Sequence, residues 1–408
     1  MAAVSTRLPC GSAERPSSQR FTFHWPIAGL ASVVLLLGCG SAEGPALSTS
    51  PTVEAKTEIT PAPPLYQVIE LPLLAQGTYA QVLSINDGRQ VVGRGDTVEP
   101  ATGRVVRGFS WQFQGGRTTV LAPLAGFDHS GADGVNEIGE TIGASWKPDG
   151  RGVLVAGTMW SKNSNTALNG LWEANDINAK GQVVGHINDA GRPVAAMWQQ
   201  GVTRTLDVRR SRAHSINDNG HVVGQLLEES KAMIWRDGMA HELKLPSRVG
   251  GASPQRINNR GQIGGQGASV DGIYLALFWE NQSAEASILP MPMWEQFGLG
   301  VHQMNDLGHV VGWGHSYDAS HALLWWYGAT AVYDINDLIH PDDPLKGKIW
   351  IEEAFDINNN GDIVAWGYSA QAWRSFLLTP VTSTSYKRPA VPGSPTQRPP
   401  APQPPRMR

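Results

Sequence analysis

Ser215-Ile-Asn-Asp-Asn-Gly-His-Val-Val-Gly224 is the stretch whose reading decides the fold. It joins two apolar runs through Asn-Asp-Asn-Gly, residues that tolerate positive φ, and so predicts two antiparallel strands linked by a tight turn. Variants begin at Ile85, Val135, Ile177, Ile216, Ile257, Met304 and Ile357, each with an apolar residue, an Asn, a Gly-bearing turn and an apolar pair. Asn86, Asn136, Asn178, Asn217, Asn258, Asn305 and Asn358 therefore mark one structural position. In the first copy the glycine comes a residue early, at Gly88, yet Gly93 keeps its offset from Ile85, so the register is predicted to hold while the turn differs. Gly93, Gly143, Gly185, Gly224, Gly265 and Gly312 end the unit with a residue suited to a strand that another backbone approaches closely, and Ala365 is the exception.

A chain of 408 residues has room for two or three domains, but seven copies of one unit predict a single body of similar pieces. With 46 glycines, 15 tryptophans and no sustained 3.6-residue apolar period, that body is expected to be all-β and nearly free of helix. A second motif follows each Asn by about twenty residues and reads small-apolar-apolar-Trp in most copies, ending at Trp111, Trp160, Trp198, Trp235, Trp279 and Trp325. It predicts a third strand, and short β-like segments such as Arg117–Leu121 supply a fourth.

The paired motifs resemble those of the HAF-repeat family of probable extracellular bacterial proteins: Ile-Asn-x-x-Gly-x-Val-Val-Gly, and a His-Ala-Phe triplet ahead of Leu-Trp, which His321-Ala-Leu-Leu-Trp325 matches best. The resemblance covers about residues 65–380. It implies an extracellular repeat protein and brings no catalytic residues with it.

Four strands in seven copies can close as a ring of blades or stack as an open solenoid. The seventh repeat ends at Thr379-Pro380 without a fourth strand, whereas Tyr66-Gln-Val-Ile-Glu-Leu71 is a fourth-type strand with no repeat ahead of it. Pairing the two completes the ring. The sequence thus predicts a seven-bladed β-propeller over 65–380, closed by an N-terminal strand.

Residues 1–38 read as a lipoprotein-type signal peptide: Arg7, Arg15 and Arg20 precede an apolar run from Trp25 to Leu37 that is too short to span a bilayer. The run ends Leu36-Leu37-Gly38-Cys39, which resembles the bacterial lipobox and implies cleavage before Cys39 and its lipidation. Cys10 and Cys39 are the only cysteines, so no disulfide supports the body. Residues 39–64, rich in Ser, Thr, Pro and Ala, predict a disordered tether, and 381–408 a disordered, basic, Pro-rich tail. The expected partner is a membrane, reached through Cys39, in the bacterial cell envelope; Gly40 after the cysteine implies the outer membrane or cell surface by the same resemblance. A tail of +5 and a tether of −2 leave about −9 on the mature body, which argues against nucleic acid as a partner. A monomer is expected.

Asp87, Asp218 and Asp306 lie in turns that lack the spacing and closing Glu of a calcium loop, so no metal site is predicted, and nothing points to a cofactor. The chain has no Gly-x-Ser-x-Gly elbow. Glu352 and Glu353, being adjacent, would point to opposite faces of a regular strand. No catalytic residue is assigned, and a binding or interaction module with unknown ligand is expected; the alternative is a propeller-type carbohydrate-active enzyme, a glycosidase or lyase with acids around the axial channel. The six repeated tryptophans are read as packing between blades. Trp146, Trp313, Trp366, Tyr317 and Tyr368 fall outside the repeated register, and with His315 and Asp318 they are the candidate ligand-binding residues, for a carbohydrate or a peptide. They lie just past the second strands, on the face opposite the Asn turns, where the loops vary most.

Overall fold

The computed structural model describes residues 62–381, apart from 150–151, 163, 295–297 and 371. Cys39, the signal and tether segments up to residue 61 and the tail from 382 lie outside the described residues. The described residues form seven four-stranded antiparallel sheets, a seven-bladed β-propeller. The α-helical residues among them are one turn, Ile335–Leu338, whose N-terminus is capped by the Asp334 side chain.

Blade 4 shows the unit: Ser211–Ile216 is innermost, followed outward by Val222–Leu226, Lys231–Arg236 and Met239–Glu242. Blade 7 takes its inner three strands from Ile349–Ile357, Ile363–Ser369 and Ala372–Pro380, and its outer one from Tyr66–Glu70. The pairing runs from Tyr66↔Pro380 to Glu70↔Phe376, as the orphan strand predicts. The free edge of that strand is covered, because His340 N donates to Tyr66 O at 2.8 Å and Val68 N to Asp343 Oδ2 at 2.9 Å. Edge strands left open invite pairing with other chains.

Every inner strand departs from a regular ladder at one shared place, and those of blades 5 and 7 do so a second time. The register slips by a residue between Ala213 and Ser215 in blade 4, and at the corresponding residues of all seven blades. Such bulges bend and twist a strand, and here the bend carries the inner backbone over its neighbour. A side chain at Gly93, Gly143, Gly185, Gly224 or Gly312 would collide with the carbonyl of Gln81, Gly131, Glu173, Arg212 or Gly300. That accounts for glycine at the end of the unit.

The turns tie the blades together. Within blade 4, Asn217 Oδ1 accepts from Asn219 N at 3.1 Å and His221 N at 3.0 Å, so it caps its own turn. Its Nδ2 donates to the carbonyl of Asn258 in the next blade at 3.1 Å. The same bond, at 3.0 Å, runs from Asn86 to Asn136, Asn136 to Asn178, Asn178 to Asn217, Asn258 to Asn305, Asn305 to Asn358 and Asn358 to Asn86. These seven bonds form a closed ring around the axis. An amide is required because one side chain must both accept and donate.

Several of the repeated tryptophans strap neighbouring blades at the outer level. Trp160 Nε1 donates to Ala122 O at 2.7 Å, Trp279 Nε1 to Lys244 O at 2.8 Å and Trp325 Nε1 to Pro290 O at 2.8 Å, each reaching the segment that leaves the preceding blade. Their rings are buried, as expected for wedge packing.

Candidate functional site: the two mouths of the axial channel

The turn-side mouth is regular and acidic. A cavity of about 150 Å³ opens there, with Asp87, Glu137, Asp176, Asp218, Asp306 and Asp356 among its lining residues. Most of these carboxylates are occupied by backbone donors. Ala179 N donates to Asp218 Oδ1 at 2.8 Å, Asn259 N to Asp306 Oδ1 at 2.8 Å and Asn359 N to Asp87 Oδ1 at 2.7 Å. Asp87 N donates to Glu137 Oε2 at 3.0 Å, and Asp218 N and Asp306 N are each held at 2.8 Å by the side-chain oxygens of Asn259 and Asn359. This second ring is interrupted at Ala179, which has no side-chain acceptor. One level deeper, Asp356 Oδ2 accepts from Ser84 Oγ at 2.8 Å and Ile85 N at 3.0 Å, and Asp176 Oδ2 from Ser215 Oγ at 2.6 Å and Ile216 N at 2.9 Å. Burial pushes the Asp356 carboxyl up to about 6, against these hydrogen bonds. Burial also lifts Glu137 to about 7, with Asp87, Asp356 and Asp306 adding repulsion.

The loop-side mouth varies from blade to blade. Five residues before the Asn and eight after it, two side chains stand directly opposite in register. The pairs are Gln81/Arg94, Glu173/His186, Arg212/Gln225, Gly300/Trp313 and Glu353/Trp366 in blades 1, 3, 4, 6 and 7. The mouth is therefore ionic on one side and aromatic on the other. His186 is buried, with Nδ1 3.5 Å from Glu173 Oε2, and His302 Nε2 lies 3.6 Å from Glu353 Oε2. Between the mouths, burial drives His214 down to about 4 although its Nδ1 sits 2.8 Å from Pro254 O. Asp133, open to water along the axis but walled in by protein, is pushed up by that enclosure, with Arg94 opposing.

The aromatic candidates fall into two groups. In blade 6, Trp313 packs over Gly298 and Gly300, with its ring 4.5 Å from that of His315. His315 Nδ1 is 2.7 Å from Ser320 Oγ, and Tyr317 and Asp318 are exposed at the hairpin tip beyond. In blade 7, Trp366 stacks at 5.5 Å on Trp373, and Tyr368 lies 3.9 Å from the same ring, buried. Trp146 stands apart in blade 2, stacked at 5.6 Å on His129 over Gly131. Sequence reasoning missed Trp373, His302, Arg212 and Glu173. It also set Glu352 and Glu353 on opposite faces, but the register shifts between Ile351 and Glu353, so Glu352 is looped out and simple alternation fails there. Burial and the adjacent Glu353 charge lift Glu352 to about 7.

Ser316, His321 and Asp334 are aligned, with His321 Nε2 3.1 Å from Ser316 Oγ and Nδ1 2.7 Å from Asp334 Oδ2. The repeat explains the arrangement. At the corresponding start of the third strand, Lys231 pairs with Glu242 at 3.0 Å and Arg374 with Glu70 at 3.0 Å, so His321–Asp334 is the blade 6 version of a tie to the outer strand. The imidazole is fully buried against Trp294, and Ser316 Oγ is engaged by Ala319 O at 3.1 Å. The trio latches a loop.

These features define a seven-bladed propeller closed by a strand from its own N-terminal side. No family model matches the sequence, and comparison with curated proteins finds no match. Among solved structures, the β-propeller domain of the Trilobed protease from Pyrococcus furiosus is similar over 74% of this chain and 94% of that domain, with a TM-score of 0.52 and 10% identity. That domain is described as having an open velcro topology, whereas the ring here is closed by strand pairing. Pyrococcus horikoshii acylaminoacyl peptidase aligns with 74% of this chain and 51% of its own, at a TM-score of 0.47 and 12% identity. TolB from Acinetobacter baumannii aligns over 64% of each chain at 0.39 and 10% identity. At these identities the likeness is one of fold.

Proposed function

We propose that the protein is an extracytoplasmic binding module, lipid-anchored through Cys39 to the bacterial envelope, which engages a carbohydrate or peptide at the loop-side mouth. One contrast carries the reading: turn-side polar groups are largely spent on blade-to-blade bonds, while the loop-side pairs change character in every blade. Recognition needs that variety on a rigid frame. The lipobox-like Cys39 and the likeness of the repeats to HAF-repeat proteins support the address. Two tests apply. Cys39→Ala should release the protein from membranes, and unchanged fractionation would refute the anchor. With a ligand in hand, Trp313→Ala and Trp366→Ala should lose affinity in a folded protein; loss confined to turn variants would place the site at the other mouth.

The second reading, a carbohydrate-active propeller enzyme, is favoured by one observation: Glu352, raised toward neutrality, adjoins Glu353 at the same mouth. Turnover of an oligosaccharide that Glu352→Gln abolishes would select it.

A further inference from the structure

Resting on that reading, we infer that the aromatic side of the loop-side mouth is a subsite for a neutral, gluco-configured oligosaccharide, centred on Glu353. Trp366 stands directly opposite Glu353 in register, and its ring is fixed by the stack on Trp373 at 5.5 Å. From blade 6, His302 brings Nε2 to 3.6 Å from Glu353 Oε2, and Trp313 occupies the same level of the mouth, its indole held over Gly298 and Gly300. Both indoles are half-buried, so each is immobilised yet still reaches solvent.

The chemistry of this set selects among ligands. Pyranoses whose ring substituents are all equatorial present flat C–H faces that suit indole surfaces, and a rim of hydroxyls that a carboxylate can take two at a time. Preorganised aromatic walls avoid the entropy cost of ordering side chains on binding. A peptide would be anchored through an apolar pocket or by strand addition, whereas Trp366 here faces a carboxylate, Glu353, which suits hydroxyl groups better than an apolar side chain. An anionic sugar would meet the Glu353 carboxylate at the centre of the set.

Cellotetraose is the probe, added to the full chain while indole N–H resonances and intrinsic tryptophan fluorescence are followed. It should perturb the Trp313 and Trp366 signals saturably, and Trp366→Ala and Glu353→Gln should each weaken binding at least tenfold while still unfolding in one cooperative transition. If cellotetraose leaves these signals unchanged, or binds both variants as tightly as the wild type, the assignment fails. Tetragalacturonate or tetra-alanine shifting the same indoles in its place would overturn the neutral-sugar class while leaving the loop-side site standing. Silence from all three probes would remove both.

Discussion

Asn358 Nδ2 lies 3.0 Å from the backbone carbonyl of Asn86, a residue 272 positions earlier, and this bond closes the ring. Asn358 Oδ1 also accepts from Asn360 N at 3.0 Å and Asp362 N at 2.9 Å. Asn358→Asp keeps the acceptor and loses the donor, turning the bond into a carboxylate facing a carbonyl. A loss of about 2–3 kcal/mol is expected, as for a buried polar group stripped of its partner. Chemical denaturation measures it, and a change under about 0.5 kcal/mol would show that the ring contributes nothing to stability.

Arg89 takes the turn position that glycine holds in the other copies, and it adopts φ 55°. Its guanidinium grips the buried Asp362 of blade 7 with bonds of 2.8 and 2.9 Å. Arg89→Gly relieves the left-handed strain, worth about 1 kcal/mol, but strands a buried carboxylate, which costs about 3 kcal/mol or more. The variant should be less stable, and Arg89→Gly combined with Asp362→Asn should recover part of the loss.

Gly224→Ala should destabilise by more than about 2 kcal/mol, because the added methyl meets the Arg212 carbonyl. Ala365→Gly in blade 7 should cost only about 1 kcal/mol, the usual loss for an extra glycine. Equal effects at the two sites would mean that the close approach does not dictate the residue.

Asp356 is held above its ordinary range, at about 6, so the native state binds its proton more tightly than the unfolded chain does. Its contribution is therefore greatest below pH 4 and falls as pH rises toward 6. His214, held down at about 4, acts in the opposite sense, losing stability as pH falls from 6.5. Opposed trends hide each other in the wild type, so the comparison with Asp356→Asn is decisive. The stability difference between wild type and variant should shift against the wild type between pH 4 and 6.5; a constant difference would contradict the elevated carboxyl.

Deleting residues 65–73 removes the outer strand of blade 7 and bares the outer edge of Ala372–Pro380. Insoluble or aggregating protein is expected. A soluble variant with one cooperative transition would show that the ring holds without its clasp.

The ring was legible because its chemistry is local, Asn, turn glycine and apolar pairs recurring in phase, and its closure because Tyr66–Glu70 has no repeat ahead of it and the last repeat lacks a fourth strand. The candidate site was legible in part. Trp313 and Trp366 stood out because they break the repeat, whereas Glu353 was weighed only as half of an adjacent pair and set aside on strand alternation, and His302 lay in an inner strand with nothing to mark it. The extra residue of each bulge cannot be seen in an apolar alternation, so the facing of Glu352, His302 and Asp133 was not predictable from period alone. Arg89 shows the same limit in reverse, since its turn role depends on Asp362, distant in sequence.

The clasp also sets a timetable for synthesis. Tyr66–Glu70 leaves the ribosome first and Ala372–Pro380 last, with roughly 300 residues between them. At about 5–20 residues per second, the first strand waits on the order of 15–60 seconds for its partner. Throughout that interval the nascent chain can stack blades but cannot become a ring, so completion of the molecule is reserved for its final strand, and a chain stopped short of Ala372 remains a splayed arc.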